Sequence, residues 1–224
     1  SLKEYLILKK ISKIRKLHLF DISFLYKKLE KKYKSKFSIF QLKNLSMAIL
    51  AAQICGLKEK KIFSTIKKLK DIEGRLELIR KFSGNIKAFV DFAHTPDALI
   101  KSINSLKRLY GNNISIVFGC GGDRDYKKRP LMAKIVSSNC KKIYVTDDNP
   151  RNENPNKIRK QIIRHIKNKN HFNIGNRPTA IRHAIQNASP NEIILISGKG
   201  HETEQIYKDR TLSISDKKII QNLK

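Results

Sequence analysis

At 224 residues the chain is long enough to bury a substantial core and to hold one large domain, or a domain with part of another. Its formal charge of +29 would suit a polyanion, yet 36 of the 48 basic residues are Lys, and no RRM, KH or zinc-finger pattern accompanies them, which argues against nucleic acid as the main partner. Three cysteines without CxxC spacing fit a reducing cytosol, and no apolar run approaches the roughly 18 residues that a membrane span needs.

Residues 1 to about 36 are Lys-rich, with apolar residues whose spacing mixes periods of 2 and 3.6. They are expected to be strands or hairpin pieces of a larger sheet. The segment Gln41 to Gly56, with Leu42, Leu45, Ile49 and Ala52, predicts a mostly buried helix that stops at the glycine. An amphipathic helix follows over about 58–70, then a strand through Leu76, Leu78 and Phe82 into a Ser83-Gly84-Asn85 turn.

From there strands and helices alternate. Strand 88–92 leads to a helix from Pro96 to Tyr110, capped by Thr95, and strand 114–118 leads through a glycine-rich loop to a helix opening near Pro130. Strand 143–146 precedes helix 155–167, a short strand near 172–174 precedes helix 178–187, and strand 193–197 ends at Gly198. An edge hairpin over 206–214 and a helix over 216–223 close the chain. Such alternation with short connections predicts an α/β fold with a Rossmann-like, mostly parallel, doubly wound sheet. Its functional loops should then share the carboxyl edge.

Four of those loops carry unusual chemistry. After strand 143–146 comes Asp147-Asp-Asn-Pro-Arg151, in which the acids suit an ammonium and the arginine offers a planar fork to a carboxylate. Pro150 stiffens the turn. Both charge signs within five residues suit a zwitterion such as an amino acid, although an Asx turn with a solvated ion pair would read the same way. Gly119-Cys-Gly-Gly-Asp-Arg-Asp125 is not G-x-G-x-x-G, and its acids would repel a pyrophosphate, so its glycines are read as allowing close backbone approach, with Arg124 as an anion contact. Asp91-Phe-Ala-His94 has no nucleophilic Ser or Cys in a recognised motif beside it, which argues against a triad. Gly198-Lys-Gly-His-Glu202 is not a phosphate loop, and the histidines and acids lack zinc-ligand spacing, so no metal site is expected.

Taken together, Asp91-Phe-Ala-His-Thr-Pro-Asp97, Phe118-Gly-Cys-Gly-Gly-Asp-Arg-Asp125 with Lys128-Arg-Pro-Leu-Met132, Thr146-Asp-Asp-Asn-Pro-Arg151 and Gly198-Lys-Gly-His-Glu202 resemble the Mur ligases. Within that family they resemble the branch that adds the third amino acid of the peptidoglycan stem. The resemblance begins near Phe40: Phe40-Gln-Leu-Lys-Asn44 is similar to the family's F-N-x-x-N helix start, and Glu73-Gly-Arg75 to its Gly-Arg hinge. The family's UDP-binding domain and the P-loop part of its central ATPase domain have no counterpart in these residues. The chain, which begins at Ser1, is therefore expected to be a piece: the tail of a central domain over 1–80 and a C-terminal domain over 81–224.

The resemblance implies a cytoplasmic, monomeric, ATP- and Mg²⁺-dependent ligase that adds meso-2,6-diaminopimelate to a UDP-MurNAc-dipeptide through an acyl phosphate. It implies amino-acid contacts from Arg124, Asp148, Asn149, Pro150, Arg151, Gly198 and Glu202, and ATP contacts from Asn44, Arg75, Asp91 and His94. No catalytic residue is assigned in this chain, and the bulk of the ATP and Mg²⁺ binding falls to the absent part. The Asp-Asn-Pro-Arg form is that of the diaminopimelate users; lysine-using relatives depart at the arginine. Two competing readings are another Mur-type ligase, such as a folylpolyglutamate synthetase, and a noncatalytic nucleic-acid-binding domain.

Overall fold

A computed structural model describes residues 2–34, 37–69 and 72–223. The chain forms two compact units, Ser1–Leu69 and Lys70–Lys224. The expected boundary after residue 80 falls inside the strand Glu77–Phe82, which hydrogen-bonds into the sheet of the second unit.

The described part of the first unit is helical: α1 (Leu2–Ile14), α2 (Ser23–Tyr33), α3 (Ile39–Ile54) and α4 (Glu59–Ile66). This corrects the expectation of strands before residue 36. Leu25, Leu29 and Tyr33 recur every four residues and turn one face of α2 onto a small core with Phe37, Leu42, Ile49 and Ile66. That period is hidden among neighbouring apolar residues such as Phe24, which is exposed. Helix α3 begins at Ile39 because Ser38 makes a capping box: its hydroxyl accepts from the Gln41 N–H at 3.3 Å, and the Gln41 side chain accepts from the Ser38 N–H at 2.8 Å.

The second unit contains a six-stranded sheet. Its strands are β1 (Glu77–Phe82), β2 (Ile86–Asp91), β3 (Ile114–Phe118), β4 (Ile143–Val145), β5 (His171–Asn173) and β6 (Ile193–Ser197), in the order β1-β2-β6-β3-β4-β5. All neighbours are parallel except β1 and β2, which are joined by a tight 3₁₀ turn over Ser83–Asn85. Helices α5 (Pro96–Tyr110), α6 (Lys128–Asn139) and α7 (Pro155–Ile163) cover one face; α8 (Arg177–Gln186) and α9 (Asp216–Gln221) cover the other. Strand residues alternate between the two cores, as a two-sided sheet requires. Ile114, Ile116 and Phe118 join the first, while Val117 and Tyr144 join the second. The fold is the expected α/β arrangement with a mostly parallel, doubly wound sheet.

The chain winds outward from β3 to β5 and returns through α8 to β6, between β2 and β3. That reversal opens a crevice at the carboxyl edge, where the loops after β2, β3, β4 and β6 meet. The expected edge hairpin is instead a separate two-stranded sheet, β7 (Glu204–Ile206) with β8 (Thr211–Ser213). It touches the loop after β4 through a bridge between Arg151 and Tyr207.

Candidate functional site

The loop after β4 is held by the chain that follows β6. Gln205, buried, donates through Nε2 to the carbonyls of Asp147 and Asp148 at 3.0 and 2.6 Å. The Ile206 N–H donates to Asn149 Oδ1 at 3.0 Å, and the Arg151 N–H donates to the Ile206 carbonyl at 3.0 Å. Pro150 is buried and Arg151 sits at φ 51°, a conformation that costs a non-glycine residue and needs such support.

The two adjacent acids part company. Asp147 is buried, paired with Arg159 of α7, and accepts from the Tyr207 hydroxyl at 3.0 Å. It is thus a structural anchor, which corrects the reading of both acids as ammonium ligands. The Tyr207 hydroxyl is pushed above its ordinary range by burial and by the Asp147 charge. Asp148 takes the cleft side: Oδ1 accepts from the Asn149 N–H at 2.7 Å, and Oδ2 lies 2.7 Å from where a Cβ on Gly198 would stand.

The loop after β3 packs directly on this one. A side chain at Gly122 would collide with the Pro150 carbonyl, so glycine is needed for the approach. The Gly122 N–H donates to the Asn149 carbonyl at 2.9 Å, and Arg151 Nη1 returns to the Gly122 carbonyl at 2.9 Å. Behind it Arg129 is 1 % exposed and binds Glu153 through both terminal nitrogens at 2.9 and 2.8 Å, with a further bond to the Gly121 carbonyl at 3.1 Å. The Arg129 hydrogen bonds hold the Glu153 carboxyl below the ordinary range. Arg124, in contrast, is exposed at the mouth, bonded only to the Asp123 carbonyl at 3.3 Å among the described residues.

After β6, Gly198 adopts φ 117° and its N–H donates to the Asp91 carbonyl at 3.0 Å. Lys199 is fully buried, with Nζ 3.0 Å from Asn149 Oδ1 and 2.9 Å from Glu202 Oε2. Asp91 points inward, accepting from the Leu76 N–H at 3.1 Å and from the Ser102 hydroxyl, and burial pushes its carboxyl up against those hydrogen bonds. His94 is exposed beside it, with Nδ1 2.9 Å from the Phe92 carbonyl. Arg75 lies over the Phe92 ring at 4.6 Å. Asn44 is exposed on α3 of the first unit.

These loops enclose a cleft of about 560 Å³. Six of the seven expected amino-acid contacts line it, namely Arg124, Asp148, Asn149, Arg151, Gly198 and Glu202, and so does His94. Pro150, Asp91 and Arg75 are not in the lining. The cleft, which Asp125 and Lys128 also line, therefore presents the Arg124 and Arg151 guanidinium groups and the Asp148 and Glu202 carboxylates to one small volume, a charge pattern that a zwitterion satisfies on both sides. Among the described residues no cluster of acids, histidines or cysteines could hold a metal, and no helix is long and apolar enough to cross a membrane.

Sequence reasoning missed Lys199, Gln205, Arg129 and the fully buried pair of Arg177 and Asp216. That pair is bonded at 2.8 and 2.7 Å, with Arg177 also donating to the Ser197 carbonyl at 3.1 Å. Lys199 and Arg129 each sat inside a noted motif; what hid them was that burial, not composition, gives them their role.

Residues 74–200 match the family model described as Mur ligase, glutamate ligase domain. The UDP-N-acetylmuramoyl-L-alanyl-D-glutamate–2,6-diaminopimelate ligase of Rickettsia prowazekii (strain Madrid E) is 42% identical over 183 residues, covering 81% of this chain and 37% of that protein. Its counterpart in Buchnera aphidicola subsp. Schizaphis graminum (strain Sg) is 41% identical over 182 residues, or 81% of this chain and 36% of that one. The chain thus spans little more than a third of the length of these curated relatives. A solved structure of a UDP-N-acetylmuramoyl-L-alanyl-D-glutamate–2,6-diaminopimelate ligase superposes with TM-score 0.64 at 34% identity, over 82% of this chain and 38% of that one. A folylpolyglutamate synthase from Thermotoga maritima, at 24% identity and TM-score 0.54 over 71% of this chain and 35% of its own, shares the fold.

Proposed function

Because the chain belongs to the Mur ligase family, we propose that its cleft is the amino-acid site of an ATP-dependent ligase that joins meso-2,6-diaminopimelate to a UDP-MurNAc-dipeptide. The observation that carries this reading is the convergence of Arg124, Arg151, Asp148 and Glu202 on one small cleft. Arg124 and Arg151 take a carboxylate, while Asp148 and Glu202 take an ammonium. Asn149 and the Gly198 backbone complete the enclosure, and Pro150 acts from behind by fixing the loop. A ligand with two amino-acid ends is held by one of them, which leaves its other amine to attack an activated carboxyl. Positioning of that amine is the chain's contribution to rate, through the entropy already lost on binding.

Nucleotide contacts are proposed for Asn44, Arg75 and His94, with Asp91 acting through the loop it anchors. Mg²⁺ finds no ligand set among the described residues. A monomer working in the cytoplasm belongs to the same proposal. The test is a ligation assay on the longest polypeptide that carries this sequence, given ATP, Mg²⁺ and the UDP-linked dipeptide. ADP release that depends on meso-diaminopimelate, with a product heavier by one diaminopimelate residue, supports the reading. Activity with glutamate on a folate acceptor instead would overturn it.

A further inference from the structure

Lys199 does not line the cleft, and its side chain is 0 % exposed. A buried ammonium is costly unless charged or polar partners surround it. Its hydrogen-bond partners among the described residues are Asn149 Oδ1 at 3.0 Å and Glu202 Oε2 at 2.9 Å, and both residues line the cleft. Asn149 Oδ1 also accepts the Ile206 N–H, so its orientation is dictated by two donors and its Nδ2 is left to face Glu202 Oε2 at 3.2 Å. Two donors therefore occupy one oxygen of Glu202. Among the described residues none reaches the other, Oε1.

We infer that Lys199 is a positioning residue for the amino-acid cleft: it locks Glu202 by Oε2 and thereby presents Oε1 to the ligand's ammonium. The inference rests on the proposed amino-acid site and deepens it. The ammonium does a second thing, since it offsets the Glu202 charge, which would otherwise repel that of Asp148 in the same cleft. Glu202 is only three residues on in a loop that contains two glycines, so without the lysine its carboxylate has many rotamers to choose from.

The experiment is a titration of the ¹⁵N-labelled 224-residue chain with meso-diaminopimelate, following the Gly198–Glu202 amides for the wild type, Lys199→Met, Glu202→Gln and the double variant. Lys199→Met fills the buried space without a charge and is expected to weaken binding roughly ten- to a hundredfold, the range for hydrogen bonds to charged groups. Because Lys199 acts through Glu202, the double variant should bind no worse than Glu202→Gln alone. Asp148→Asn, which has no bond to Lys199, should add its loss in full. The Lys199 ammonium, shielded from water, should give its own ¹H–¹⁵N signal, and that signal should shift in Glu202→Gln even if Lys199→Met fails to fold.

A purely structural lysine would give additive losses in the cycle, and that outcome overturns the inference. So does a Glu202→Gln variant that binds poorly beside a Lys199→Met variant that binds like the wild type; the amino-acid reading then survives alone. Absence of binding by the wild type would remove both.

Discussion

Asp216 and Arg177 provide the sharpest test of how the second unit holds its site. Both side chains are 0 % exposed, and two hydrogen bonds of 2.8 and 2.7 Å join them. The same guanidinium donates to the Ser197 carbonyl, the last residue before Gly198, so the pair ties helix α9 to the end of β6. Asp216→Ala leaves a buried guanidinium without its counter-charge, a change that typically costs about 3–5 kcal/mol. In a protein of this size each kcal/mol lowers Tm by roughly 2–4 °C, so a fall of roughly 6–20 °C is expected in a circular-dichroism melt. Replacing both partners by apolar residues, Arg177→Met with Asp216→Leu, should recover much of that loss, because no charge is then stranded. A melt of Asp216→Ala within about 2 °C of the wild type, on the same scale, would refute the reasoning.

Arg151→Ala should lower kcat/KM for meso-diaminopimelate by roughly two to three orders of magnitude if its carboxylate is fully desolvated, and by less in proportion to the water that reaches this half-buried residue; steady-state kinetics on the longest polypeptide carrying this sequence checks it. Since the Glu153 carboxyl is held below its usual range by Arg129, the stability it contributes is complete above pH about 4.5 and lost as pH falls through the lower folded value. Acid melts should therefore show a shallower slope for Glu153→Gln below that pH. The purified chain, which contains no G-x-x-x-x-G-K-[ST] motif, should release no phosphate from ATP in response to substrates. Amide exchange should be slowest in β3, β4 and β6, whose residues are all buried, and faster in α4 and in α3, where Met47 and Ile54 stand exposed.

Much of the second unit is legible in the sequence because its elements are locally self-consistent. Thr95 and Pro96 announce α5, and its start and end fall where the caps place them. Strands β3 and β6 are short runs, apolar but for one serine each and stopped by Gly119 and Gly198, and they too lie where read. The first unit is harder because its apolar residues are not reserved for the core. Tyr5, Leu6, Ile7 and Leu8 on α1 are all exposed, so hydrophobicity there carries no period to read. At the site, the loops and most of the lining residues follow from motif and topology. What stays hidden is the division of labour between identical neighbours. Nothing in Asp147-Asp148 says which acid faces Arg159; that is decided by α7 and by Tyr207, sixty residues away in the chain. Buried charges such as Lys199 are invisible for the same reason, since their partners come together only in the folded loops.

The central claim is that the cleft between the loops after β2, β3, β4 and β6 binds an amino acid by both of its charges. Its most direct test is chemical-shift mapping of the wild-type chain with meso-diaminopimelate and, separately, with L-lysine. The account predicts saturable shifts confined to the amides of Arg124, Asp148, Asn149, Arg151, Gly198 and Glu202, with at least roughly tenfold tighter binding of meso-diaminopimelate, the value of about one charge-assisted bond. Equal affinity for the two ligands, or shifts centred away from those six residues, would contradict it.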